Sequence, residues 1–132
     1  MVGAVHAIGH ACGAAAHVHH GTAMAILLPH VMKFNLEKLS GLYAEILLPL
    51  AGAEVYATTP AEKRAEKCIE VIIGMNTELN KLTGMPDKLS AAGVKPEMFN
   101  EIAQKAIDDG AMMPNPKDVE FNEVIAILKQ AF

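Results

Sequence analysis

The chain has 132 residues, of which 52% are hydrophobic and 20% charged, and its formal net charge is −4. That length suits one core burying roughly two-thirds of the unfolded surface, and no run reaches the ~20 apolar residues that a membrane helix needs. An acidic balance with no basic stripe and no interleaved aromatics argues against a nucleic-acid partner.

Met1-Val2-Gly3 opens the chain and no Lys or Arg comes before Lys33, so the basic start of a signal or transit peptide is missing. Cys12 and Cys68 make neither a CxxC pair nor a disulfide framework, which agrees with a reducing compartment. A cytoplasmic protein with no membrane partner is expected. Cys12 has histidines close by and could serve as a soft ligand, but a lone cysteine in an apolar run reads first as a buried structural thiol.

The pattern is helical throughout. Val2 to Ala16 is small and apolar, and a helix that carries Gly3, Gly9 and Gly13 should be buried and closely packed, since each glycine costs about 1 kcal/mol of helicity. His17 to His19 break the pattern. A second helix from His20 to about Phe34 follows, with Pro29 marking a kink and Asn35 a stop. Glu37 to Leu48 gives a third, with Leu39, Leu42, Tyr43 and Ile46 on one face, and Pro49 ends it. Thr59-Pro60-Ala61-Glu62 reads as a helix start, with Thr59 the cap and Glu62 closing a capping box, and the helix runs to about Thr83. Gly84-Met85-Pro86 is a turn, Asp87 caps a short helix to Ala92, and Gly93-Val94-Lys95-Pro96 breaks the chain again. A helix from about Glu97 to Asp109 ends at Gly110. Met113-Pro114-Asn115-Pro116 crosses in extended form before a last helix from Asp118 to Ala131, with Val119, Val124, Ile125 and Leu128 inward. With no alternating strand pattern and no internal repeat, the fold class is all-α, a single domain of about six or seven helices.

Five of the six histidines fall in the first twenty residues, whereas the first carboxylate is Glu37. His6 and His10 stand four apart and share a helix face. His20 opens the next helix, and a tight turn through His17 and His19 would fold it back against the first, so three imidazoles could surround one pocket. Neutral imidazoles suit zinc or iron, and spacing does not separate the two. The bland alternative is that His6 and His10 are packed in an Ala-rich helix while His17, His19 and His20 decorate a turn. His30, after Pro29 on an apolar helix, reads as structural. HExxH, the Glu-x-x-His of di-iron bundles and a CxxC knuckle are all missing. Any metal held by these histidines needs ligands from elsewhere.

Val5-His6-Ala7-Ile8-Gly9-His10, followed by His20-Gly21-Thr22-Ala23-Met24-Ala25-Ile26-Leu27-Leu28-Pro29-His30-Val31-Met32-Lys33-Phe34-Asn35, closely resembles the signature of the iron-containing alcohol dehydrogenases. The resemblance continues in Tyr43-Ala44-Glu45, in Thr83-Gly84-Met85-Pro86, and in Ala106-Ile107-Asp108-Asp109-Gly110 followed by Asn115-Pro116, so it covers essentially the whole chain as the C-terminal helical half of such enzymes. It implies that an N-terminal α/β domain, absent from this chain, binds NAD or NADP and supplies an aspartate and a further histidine to the metal. It maps the metal ligands of the helical half onto His6 and His20, and a proton-relay histidine near the nicotinamide onto His10. The implied cofactors are a divalent metal, Fe2+ ahead of Zn2+, and NAD or NADP through the missing domain. The implied substrate is a small alcohol or aldehyde.

Two features depart from the family. A proline often follows the histidine aligned with His10, whereas here Ala11-Cys12 follow, and His17 and His19 are extra imidazoles. The resemblance implies the metal-binding half of a dehydrogenase, a fragment or split reading frame inactive by itself. Its partner would be a complementing nucleotide-binding chain or a second copy in a homo-oligomer, since helices that should face the missing domain leave an apolar patch. The alternatives are a non-catalytic module holding metal through His6, His10, His17, His19 and His20, and a helical remnant that only self-associates.

Overall fold

The computed structural model describes residues 3–132, so Val2, where the first helix was expected to begin, lies outside the described residues. Among them are five α-helices and no strand: α1 Ala4–Ala16, α2 His20–Thr58, α3 Arg64–Thr83, α4 Phe99–Asp108 and α5 Phe121–Ala131. Short 3-10 turns at Ala61–Lys63, Pro96–Met98 and Gly110–Met112 complete the helical structure. The all-helical class is as expected, with five helices in place of six or seven.

The main difference is α2, whose 39 residues join what the sequence divides into separate helices. It passes through Asn35, Pro29 and Pro49, and its only non-helical backbone is at Gly52, with φ 87° and ψ 166°. That conformation is open essentially to glycine alone, so Gly52 breaks the helix where Pro49 was expected to end it. Asn35 is no stop because its amide is buried and paired across the core. Thr59 is also misread. Its hydroxyl donates to the Val55 carbonyl at 2.6 Å and closes α2 instead of capping the next helix. Arg64 then fastens the corner, its Nε donating to the carbonyls of Tyr56 and Thr59 and its guanidinium lying over the Tyr56 ring. Residues 87–93 form turns where a short helix was expected. The last helix begins at Phe121, not Asp118, behind a capping box in which Glu120 and Glu123 satisfy each other's backbone N–H groups.

Two apolar clusters share α2. The larger gathers α1, the start of α2, α4 and α5 around Ile8, Leu27, Ile102, Val124 and Leu128. The smaller joins the later part of α2 to α3 through Met32, Tyr43, Leu47, Ala65, Cys68 and Ile69. The face drawn from Leu39, Leu42, Tyr43 and Ile46 is therefore rotated: Tyr43 and Leu47 are buried, whereas Leu42 and Ile46 are exposed. Gly9 is buried against α2, and a Cβ there would displace the terminal methyl of Met24.

Asn115 locks these elements together. Its Oδ1 accepts from the Ala4 backbone N–H at 3.2 Å and from Asn35 Nδ2 at 3.1 Å, and its Nδ2 donates to Asn35 Oδ1 at 3.0 Å and to the Lys117 carbonyl at 2.7 Å. Asn35 is 4% exposed and has no water to fall back on. Truncating its partner strands a buried amide. Asn115→Ala should cost about 3 kcal/mol, read as a lower urea midpoint at unchanged slope.

His30 is half-buried, and its Nδ1 is buried without a hydrogen-bond partner among the described residues. Burial first, and then the charge of Lys33, hold its pKa below the ordinary 6.5. Between 6.5 and that lowered value the unfolded chain binds the proton more readily than the folded one, so acidification through this window removes stability and raising the pH restores it. His30→Gln should flatten that part of the pH dependence in urea unfolding series, and an unchanged slope would contradict the account.

Candidate metal centre

The site is built on α1 and the first turn of α2. His6 and His10 stand one helical turn apart on α1, and His20 is the first residue of α2. His17 closes α1 in the left-handed conformation, φ 55° and ψ 29°, with its N–H on the Gly13 carbonyl at 3.0 Å. This cap satisfies an orphan carbonyl and reverses the chain. Val18 is buried in the core and anchors the turn, and the His19 carbonyl accepts from the Ala23 N–H at 3.0 Å to start α2. The reversal sets His20 beside the first helix.

The three rings form a nearly regular triangle. Centroids are 5.8 Å apart for His6 and His10, 5.6 Å for His6 and His20, and 5.7 Å for His10 and His20. An ion ~2.1 Å from a ring nitrogen lies ~3.2 Å from that ring's centroid, so two tetrahedral imidazole ligands have centroids ~5 Å apart. The spacing here suits a shared ion with little movement. Burial, and then its neighbours His10 and His20, hold the His6 pKa below 6.5, which favours the neutral ring that a metal ligand must be.

Among the described residues no group of three His, Cys, Asp or Glu side chains is arranged to hold a metal ion. Among the described residues, Asp109 is the carboxylate hydrogen-bonded to the triangle, its Oδ2 2.8 Å from His10 Nδ1. Its other oxygen accepts the Ala111 N–H at 2.8 Å. That backbone bond first, and then His10, hold the Asp109 carboxyl below the usual carboxylate range. The sequence reading did not assign Asp109 a role. It stands 99 residues from His10, and its only signal was its place in the run Ala106 to Gly110.

Cys12 lies wholly inside the core, where burial pushes its thiol up to about 12, so it packs as a structural thiol. His17 and His19 are exposed in the turn. An open cleft of about 330 Å³ runs beside His10, lined by Ala11, Ala14, Lys105, Asp108 and Asp109. No helix among the described residues is long and apolar enough to cross a membrane.

Comparison with known proteins identifies relatives of the whole chain. Residues 1–132 match the description "Fe-containing alcohol dehydrogenase family, C-terminal". The chain is 36% identical over 131 residues to a 1,3-propanediol dehydrogenase of Klebsiella pneumoniae, covering 99% of this chain and 32% of that protein. It is 30% identical to a lactaldehyde reductase of Escherichia coli (strain K12), covering 99% of this chain and 33% of that protein. The crystal structure of a 1,3-propanediol oxidoreductase superposes with a TM-score of 0.85 at 35% identity, over 98% of this chain and 32% of the other. The chain thus spans about a third of the length of the relatives it matches. It belongs to the iron-containing alcohol dehydrogenase family, of which it carries the C-terminal helical part.

Proposed function

We propose that this chain is the metal-binding helical half of an iron-type alcohol dehydrogenase, with His6 and His20 as two ligands to a divalent metal and His10 as the proton relay beside them. The metal is Fe2+ ahead of Zn2+, and the complete enzyme interconverts a small alcohol and an aldehyde with NAD or NADP. The observation that carries this reading is a pair of imidazoles at ligand spacing, 5.6 Å between centroids, beside a third ring, His10, that is engaged by Asp109, with no set of three donors arranged to hold an ion among the described residues. Two neutral ligands leave the ion's charge uncompensated. The aspartate and further histidine that the family resemblance places in an N-terminal α/β part would complete such a shell.

A bound divalent metal supplies Lewis acidity toward the alcohol oxygen. The chain's own residues do the rest of this half's work. The α1 to α2 turn holds the ligand rings in register, and His10, its ring 5.8 Å and 5.7 Å from those of His6 and His20, would accept the proton that the alcohol gives up when hydride passes to nicotinamide. The substrate class follows the propanediol and lactaldehyde enzymes that the chain is similar to.

Location and partners follow from the same reading. Two free buried thiols agree with a reducing cytoplasm. Leu42 and Ile46 on α2, with Ile73, Leu79 and Leu82 on α3, are exposed apolar side chains that a second copy or a complementing nucleotide-binding chain would cover.

Metal titration of the purified chain tests the proposal. Binding should be loose, and His6→Ala and His20→Ala should each weaken it by at least about tenfold. Affinity should fall on acidification, because protons compete for neutral imidazole. Tight binding that survives both substitutions but is lost in the His17→Ala/His19→Ala double variant would replace the half-site with a non-catalytic metal module. Failure of an added nucleotide-binding part to restore NAD(P)-dependent turnover would count against the enzyme assignment.

A further inference from the structure

We infer that Asp109 is a positioning residue that fixes the tautomer of His10, placing the proton on Nδ1 and leaving Nε2 as the ring's free lone pair. The inference rests on the reading of His10 as a relay for its purpose, but its geometry stands independently. Asp109 divides its two oxygens between two tasks. Oδ1 accepts the Ala111 N–H at 2.8 Å and so caps the 3-10 turn Gly110–Met112, and Oδ2 faces His10 Nδ1 at 2.8 Å. The backbone bond holds the carboxylate in place, and the carboxylate in turn holds the ring.

The chemistry allows one proton arrangement. A carboxylate has no proton to donate, so the short contact at Nδ1 requires that nitrogen to carry the hydrogen. In neutral imidazole the remaining lone pair is then on Nε2. An untethered histidine side chain favours the opposite form, with the proton on Nε2, so Asp109 selects the less common tautomer. A proton accepted at Nε2 makes an imidazolium whose charge faces Asp109, which is the arrangement a proton relay needs.

Magnitudes favour orientation over stability as the purpose of this contact. The two side chains are 45% and 27% exposed, and ion pairs in such settings add little to stability. The adjacent carboxylate does something else, since Asp108 Oδ2 accepts from Gln104 Nε2 at 2.9 Å along the same helix. Asp108 therefore serves as a control of equal charge beside the site.

The test is the ¹⁵N shift pattern of the His10 ring in the full 132-residue chain without metal, at about pH 8.5, above the imidazole range. Long-range proton–nitrogen correlation reads the tautomer, and His10→Gln identifies the signals. The wild-type chain should show the proton on Nδ1. In Asp109→Asn the amide oxygen can keep the Ala111 bond, so its NH₂ group faces Nδ1 and the proton should move to Nε2. Asp108→Asn should leave the pattern unchanged. A wild-type ring protonated on Nε2 would overturn the inference, as would the same tautomer in Asp109→Asn, and the wild-type result decides even if the variant does not fold. Loss of the proposed metal binding would sink the functional reading and leave this result untouched.

Discussion

The reciprocal amide pair between Asn35 and Asn115 is the contact on which the placement of the site rests. It joins the middle of α2 to the crossing before α5, and the same Asn115 oxygen holds the backbone N–H of Ala4 at the start of α1. One side chain therefore sets α1 against α2, two residues before His6. Such a network is costly if any member is missing, because the buried partners have no other bonds to make. Hydrophobic packing brings the helices together without direction, and the amide pair supplies the register.

The second constraint is electrostatic. Five histidines crowd the start of the chain with no carboxylate among them, and the fold brings in only Asp109, which is already shared between a backbone N–H and His10. Among the described residues the rings of His6 and His20 have no other carboxylate beside them to balance a cation of the proposed kind. Burial favours the neutral form of His6, which suits a ligand and discourages a bare proton. Neutral imidazoles alone leave the charge of a divalent ion uncompensated, which is why the proposed half-site calls for a further anionic ligand.

Much of this was legible in the sequence where the cause was local. Helical spacing placed His6 and His10 on one face, and the break at His17 to His19 announced the reversal that returns His20, because a left-handed cap and a buried Val18 act within a few residues. The helix ends at Pro49 and Asn35 were misplaced for a physical reason. Proline and asparagine weaken helices only on average, and here packing against α3 carries the helix through Pro49 while a partner 80 residues away satisfies Asn35. Gly52 gave no sign that it, rather than the nearby proline, would take the non-helical backbone. The dyad of His10 and Asp109 was equally hidden, because it depends on how α4 lies against α1.

These different origins divide the site into two parts of unequal robustness. The proposed ligand pair His6 and His20 is set mainly by one helix, one turn and the start of the next, with Asn115 holding the far end of α1 in register. The His10 tautomer is fixed by a partner at the end of α4, held through apolar contacts of Ile102, Ala103 and Ala106 in the larger cluster. A disturbance in that cluster would therefore reach proton handling before it reached ligand spacing. The spacing of His6 and His20 therefore depends chiefly on a local reversal, whereas the contact of His10 with Asp109 also needs α4 packed against α1.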